Sequence, residues 1–281
     1  MIEMLQDNRV FVNHGPIQMV IDVSIEGKRV PEIGFKVGEY ILDQFDKLVH
    51  YIPDLKKMRA YRNINNEFPK VLNKMIAAVE KCGYEELNTL GAVAGSFSDV
   101  ALEKAIELGG TRVIINNGGD IALKDLKGKP IKVGIPYTKS NEKRQLVLTI
   151  TEEQGIHGIC TSGIGGRSFT KGIATAAVAL ASNAATADAC ATYIGNMTNV
   201  EDENIIRCLA EEIDSGTDIK GQLITLKVGK IRQEKKYKAL LNGLKIAEDL
   251  YNNEIIKAAI LCIDETIVKC PEDLSVESIH L

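Results

Sequence analysis

The chain contains no tryptophan, and eight tyrosines and six phenylalanines are all the aromatics in 281 residues. It lacks any apolar run near the roughly 18–20 residues that a spanning helix needs, so no membrane partner is expected. It also lacks a basic excess. Lys and Arg number 34 against 38 Asp and Glu, a net charge of −4 with no basic cluster, so nucleic acid is not an expected ligand. The N-terminal run Met1-Ile-Glu-Met-Leu-Gln-Asp7 shows no basic region followed by an apolar stretch, and the expected location is cytoplasmic. The six cysteines (Cys82, Cys160, Cys190, Cys208, Cys262 and Cys270) show no Cys-x-x-Cys spacing and no companion histidine pattern. That argues against a zinc ribbon or a thioredoxin-type pair, and in such a chain free thiols read as reduced, buried small residues.

What is abundant is glycine, and it is concentrated. Of the 24 glycines, 15 fall between Thr89 and Val200, where only Phe97, Tyr137, Phe169 and Tyr193 are aromatic. A segment built of backbone and small side chains suits close approach of a ligand to the main chain, although a set of glycine turns without a ligand reads the same way. Hydrophobic residues at 45% and charged residues at 26% are ordinary for a globular chain. With no repeat and no Pro/Ser-rich linker, the expectation is a single domain in three portions: an α/β start (1–88), the Gly/Ala-rich part that would bear a site (89–200) and an α/β tail (201–281).

Periodicity places the elements. Arg9–Asn13 and Ile17–Ile25 read as strands around His14-Gly15-Pro16. Ile33, Val37, Tyr40, Ile41, Phe45 and Leu48 recur at helical spacing from Pro31 to about His50, and Val71 to Val79 repeat the pattern before Gly83. Ser98 is expected to cap a helix over Asp99–Leu108. Short strands follow at Val113–Asn116, Ile131–Ile135 and Leu146–Thr151. Between Ala174 and Ala191, 10 of 18 residues are alanine. This reads as a strand, Thr175–Ala181, leading through Ser182 or Asn183 into a helix that ends at Gly195. In the tail, Ile205, Ile206, Leu209 and Ile213 suggest a helix, followed by a strand at Leu223–Val228, a Lys-rich helix from Gln233 and a strand at Ala258–Ile263.

Four groups could carry chemistry. Asp188 and Thr192 are four apart on a predicted helix, so their oxygens share a face and could ligate a hard cation; a capping or surface role is the plainer alternative. Asp120 closes the turn Asn116-Asn-Gly-Gly-Asp120 after a buried strand, where it could bind a ligand group or merely satisfy the turn's own amides. Thr161-Ser162-Gly163, followed by Gly165-Gly166-Arg167-Ser168, offers hydroxyls, amides and a guanidinium suited to phosphate, without being a P-loop or a dinucleotide fingerprint. Cys160 and Cys190 adjoin these elements and could line one pocket, or simply be buried. His157 has no assignable carboxylate orienter, so no triad is drawn.

Four blocks in this order, Gly91-Ala-Val-Ala-Gly95 with Asp99, Ile115-Asn-Asn-Gly-Gly-Asp120, Thr161-Ser-Gly163 and Ala187-Asp-Ala-Cys-Ala-Thr192, resemble the ApbE-like superfamily, whose characterised members are FAD:protein FMN transferases. The run Thr161–Phe169 (Thr-Ser-Gly-x-Gly-Gly-Arg-Ser-Phe) is similar to a cytoplasmic branch of it. The resemblance spans about Gly91 to Gly195. It implies an α+β, T-fold-related architecture, with sheets backed by helices and a ligand cleft between two halves. It also implies Mg²⁺ at Asp188 and Thr192. FAD or FMN would then be held by Gly95, Gly118, Gly119, Asp120, Thr161, Ser162, Gly163 and Arg167. Catalytic candidates are Asp120, Cys160 and Cys190, and the implied partners are a small nucleotide-like ligand or a protein acceptor. A homodimer is common among such folds.

Two elements of the transferase pattern are missing. No lysine follows the Gly-Ala-Val-Ala stretch, and no His-x-x-Asp-Pro segment lies between Thr-Ser-Gly and the alanine-rich strand. The resemblance thus implies the fold and a Mg²⁺-dependent flavin or nucleotide-phosphate site more than FMN transfer itself. A second reading, from the branch's resemblance to sulfur-assimilation and homocysteine-forming proteins of anaerobes, makes Cys160 and Cys190 persulfide carriers or iron–sulfur ligands. A third is a non-catalytic binding subunit.

Overall fold

A computed structural model describes residues 1–137, 144–166 and 168–280. The first strands are β1 (Ile2–Met4), β2 (Val10–His14), β3 (Ile17–Ile25) and β4 (Lys28–Arg29). Helices α1 (Pro31–Val49), α2 (Ile52–Leu55), α3 (Lys70–Cys82) and α4 (Val93–Glu107) follow. Then come β5 (Arg112–Asn117), β6 (Asp120–Asp125), β7 (Ile131–Pro136), β8 (Arg144–Ile150), β9 (Gly158–Ser162) and β10 (Ala176–Ala181). Next are α5 (Ala184–Met197), β11 (Ile205–Leu209), α6 (Ala210–Ile213) and β12 (Leu223–Val228). The chain closes with α7 (Gln233–Asn252), β13 (Ala258–Ile263), β14 (Thr266–Cys270) and β15 (Glu277–His280).

The large sheet runs in the order β1-β2-β3-β5-β6-β9-β10-β13-β14, with β4 beside β3, and each printed pairing is antiparallel. A three-stranded sheet, β15-β8-β7, and the pair β11-β12 are separate from it. Side-chain alternation divides the core in two. On one face Val12, Ile21, Ile115, Ala177, Ala179 and Leu261 pack with the helices. On the other Ile121, Val178, Leu180 and Ile260 meet Val133, Ile135, Leu146 and Leu148 of the smaller sheet. The result is helices, a sheet and a second sheet in layers: the α+β class that the motifs imply.

Local chemistry explains the element ends. Pro31 opens α1, where its fixed φ suits the first turn. Gly83 ends α3 in the left-handed conformation, φ 74°. The Asn183 side chain accepts the Thr186 N–H at 2.8 Å and starts α5. All six residues of β10 are buried, and alanines there let α5 lie close against the strand. No helix is long and apolar enough to cross a membrane, among the described residues.

Two expectations need correction. α4 begins at Val93, not after Ser98, so the Gly91–Gly95 block is the helix entry and Ser98 lies inside it. The Ser98 hydroxyl donates instead to the carbonyls of Ala94 (3.2 Å) and Asp120 (2.8 Å), fastening the helix to the β5–β6 turn. In the tail, 205–209 is a strand and only Ala210–Ile213 is helical. The isoleucine spacing mimics a helix because β11 is irregular: its register with β12 shifts between Ile206 and Arg207.

Candidate functional site

The site is built where α4 and α5 cross beneath the end of β5, β6 and β9. Gly95 makes the crossing possible. A Cβ there would overlap the Ala184 carbonyl and lie 2.8 Å from the Asp188 Cβ, so no larger residue fits without separating the helices. With the axes this close, each helix caps the other. Asp99 of α4 accepts the Ala184 N–H at 2.8 Å and the Ala185 N–H at 2.9 Å, the first amides of α5. Asp188 of α5 accepts the Gly95 N–H at 2.9 Å, and the Ala94 N–H also favours its charge. Orphan N–H groups and the positive end of each helix dipole are thereby matched by a carboxylate.

Asp120 meets this crossing from the sheet. In the β5–β6 turn, Gly118 (φ 70°) and Gly119 (φ 112°) adopt conformations that favour glycine, and the Gly119 N–H is taken up by the Asn116 side chain at 2.9 Å. Asn116, not Asp120, thus satisfies the turn amide. The Asp120 carboxylate instead touches the Cys160 thiol, its neighbour on β9, and faces Asp188. Space beyond the Gly119 Cα is open, and Gly118 is exposed.

The electrostatics follow from three carboxylates in one place. Burial, then the charge of Asp120, pushes Asp188 well above the usual carboxylate range, against the pull of the Gly95 and Ala94 amides. Burial likewise lifts Asp99 to about 6, opposed by Lys74 and the two α5 amides. Burial, reinforced by Asp120, Asp188 and Asp99, raises the Cys160 thiol, which donates to the Ala184 carbonyl at 3.2 Å. Such a thiol is not poised as a nucleophile.

Thr192 follows Asp188 by one turn on the same face of α5 and is partly exposed. Ser162 ends β9 with its hydroxyl against Gly195 of α5, while Thr161 before it points to the opposite face of the sheet, level with Val178 of β10, and Gly163 turns the chain away at φ 134°. The structure therefore brings together Gly95, Asp120, Cys160 and Asp188 and sets Ser162 and Thr192 along the same helix, whereas Thr161 lies on the opposite face of the sheet. Arg167 lies outside the described residues. His157 precedes β9, at the far end of that strand from Ser162, with Glu152 3.9 Å from its Nε2.

Cys190 is buried on α5 against Cys82 of α3. Among the described residues no three His, Cys, Asp or Glu side chains converge as metal ligands, which leaves the iron–sulfur reading without support. A Mg²⁺ site asks for less, one or two carboxylates beside water and phosphate. Asp120 and Asp188, oxygen donors whose charges oppose one another, fit that requirement. Sequence reasoning missed Asp99 as the cap of α5; the signal lay in its place inside the first block of the four. Two surface concavities, one bordered by Gln154, Tyr251, Lys257 and Asp273 and one by Asp202, Lys230, Arg232 and Lys235, are lined by none of these residues.

A family model described as AbpE bacteria matches residues 2–270. A UPF0280 protein of Methanosarcina barkeri is 34% identical over 157 residues, 56% of this chain and 59% of that protein, so the chain spans about three-fifths of that relative. A UPF0280 protein of Methanococcus aeolicus is 33% identical over 208 residues, 70% of this chain and 77% of the relative. Among solved structures, the apo flavinyl transferase ApbE of Pseudomonas stutzeri superposes with a TM-score of 0.51 at 13% identity, covering 100% of this chain and 94% of that one. The ApbE protein of Thermotoga maritima gives 0.50 at 11% identity, covering 99% and 96%. At these identities the likeness is one of fold.

Proposed function

We propose, because this chain belongs to the AbpE bacteria family, that it binds a flavin or nucleotide phosphate with Mg²⁺ between the Asn116–Asp120 turn and α5. The observation that carries the reading is the pair Asp120 and Asp188, two carboxylates facing one another beside an open glycine turn. Mg²⁺ bound there would relieve their repulsion and offset the charge of a phosphate ligand.

The chain's own residues supply the rest. The Ala94 and Gly95 amides fix the Asp188 carboxylate, so its position costs no side-chain ordering when ligand arrives. Gly118 and Gly119 let a flat ligand approach the main chain. The Ser162 hydroxyl and Thr192 provide donors along the same helix. Binding, not FMN transfer, is the activity proposed, because the lysine and the His-x-x-Asp-Pro segment of the transferase pattern have no counterpart here.

Flavin fluorescence tests the reading. FAD emission should change on adding protein with Mg²⁺, and the change should vanish with EDTA. A change that ignores EDTA would remove the cation from the proposal, and no change would remove the flavin.

A further inference from the structure

The large sheet ends at β14, and the outer edge of that strand is free. β14 pairs with β13 alone, and none of its N–H or C=O groups has a further backbone partner among the described residues. Edge strands are commonly guarded by a charge or a proline. The only lysine of β14, Lys269, instead turns its Nζ to the Leu274 carbonyl at 2.7 Å. α7 lies over this edge and runs the same way. Gln233 in its first turn donates to the Thr266 hydroxyl at 3.1 Å, Lys236 pairs with Asp264 before the strand, and the charge of Glu248 acts on Cys270 at the strand's end. Gln233, Tyr237, Leu241, Leu244 and Glu248 recur at helical spacing, a single stripe on the flank of α7 turned to β14. Tyr237 is 50% exposed and Leu241 60%. The opposite flank is occupied: Lys235 and Asn242 donate to the Glu201 and Asn199 carbonyls, each at 2.9 Å.

We propose that β14 and the overhanging stripe of α7 are an interaction surface for a second copy of this chain, paired about a two-fold axis. A strand meets its own copy antiparallel across such an axis. With the axis at Val268, that residue faces the partner's Val268, Thr266 faces the partner's Cys270, and Ile267 faces the partner's Lys269. No like charges then oppose one another across the ladder. The stretch of α7 between Gln233 and Glu248 is centred near Leu241, as β14 is centred on Val268, so one axis serves both layers. Leu241 thereby meets the partner's Leu241, and Lys245 comes level with the ring of the partner's Tyr237, where a cation is attracted to the aromatic face. A lone extended peptide could satisfy the strand edge but would leave Tyr237 and Leu241 in water. A second copy covers the edge and the stripe together, and makes one sheet continuous through both molecules.

The experiment is sedimentation velocity on the full-length protein from about 1 to about 100 µM. Expected is a sedimenting mass that doubles with concentration in the wild type. Leu241→Glu sets two carboxylates against each other in the helix layer, and Val268→Lys sets two ammonium groups against each other in the strand layer. Each variant, checked for fold by circular dichroism, should stay monomeric throughout. Leu226→Glu, at an exposed leucine of the separate β11–β12 pair, should dimerise as the wild type does. A wild type that is monomeric at every concentration, a dimer that survives Leu241→Glu, or one that is lost in Leu226→Glu would overturn the proposal.

Discussion

Asp99 and Asp188 cap each other's helices: each leaves its own helix to take up the first amides of the other. The arrangement makes the α4–α5 crossing both a structural joint and the floor of the candidate site. Changes to either carboxylate should therefore be felt twice, in stability and in ligand binding.

Replacing Asp99 with Ala leaves the Ala184 and Ala185 amides buried without an acceptor. Loss of a cap and of two buried hydrogen bonds should cost about 2–3 kcal/mol. Urea unfolding of the variant measures it; a cost near zero would show that the amides find other partners.

Gly95→Ala sets two effects against each other. Alanine favours a helix interior by about 1 kcal/mol over glycine. Against this, the new methyl overlaps the Ala184 carbonyl and crowds Asp188, and overpacking of that kind costs about 1–3 kcal/mol. Because the obstruction is backbone, the clash should win and the thermal midpoint should fall. A rise would mean that the helices separate easily.

The pH dependence at Asp99 runs opposite to that of a salt-bridged carboxylate. Its folded value of about 6 lies above the reference 3.8, so the folded state holds the proton more tightly. Its contribution to stability is full below pH 3.8 and is lost as pH rises towards 6. Relative to the non-titrating Asp99→Asn variant, wild type should lose stability across that window, by up to about 3 kcal/mol. Urea titrations at pH 4 and pH 7 check this, and a wild type that gains on the variant as pH rises would contradict it.

Cys160→Ser discriminates the readings of the buried thiol. A hydroxyl can also donate to the Ala184 carbonyl, so Mg²⁺-dependent flavin binding should survive within about threefold, or roughly 0.7 kcal/mol. Loss of binding with the fold intact would assign Cys160 a direct role.

The fold was legible where one face of an element is buried. α1, α3, β3 and β7 carry their periodicity openly, and the turn glycines mark their ends. It was illegible where tertiary contacts override the local pattern. The isoleucines of 205–213 sit at helical spacing yet lie partly in an irregular strand, and α4 starts early because Asp188 caps it from 93 residues away. At the site, Gly95, Asp120 and Asp188 could be named as candidates from their motifs. The capping of α5 by Asp99 could not, since it depends on how the helices cross.

The most direct measurement is calorimetric titration of FAD into the protein, with and without Mg²⁺, for wild type and Asp188→Asn. The amide keeps an oxygen for the Gly95 N–H but removes the charge that would hold the cation. The account predicts Mg²⁺-dependent binding in the wild type that weakens at least tenfold, about 1.4 kcal/mol, in the variant. Equal affinity in both proteins, with a folded variant, would contradict it.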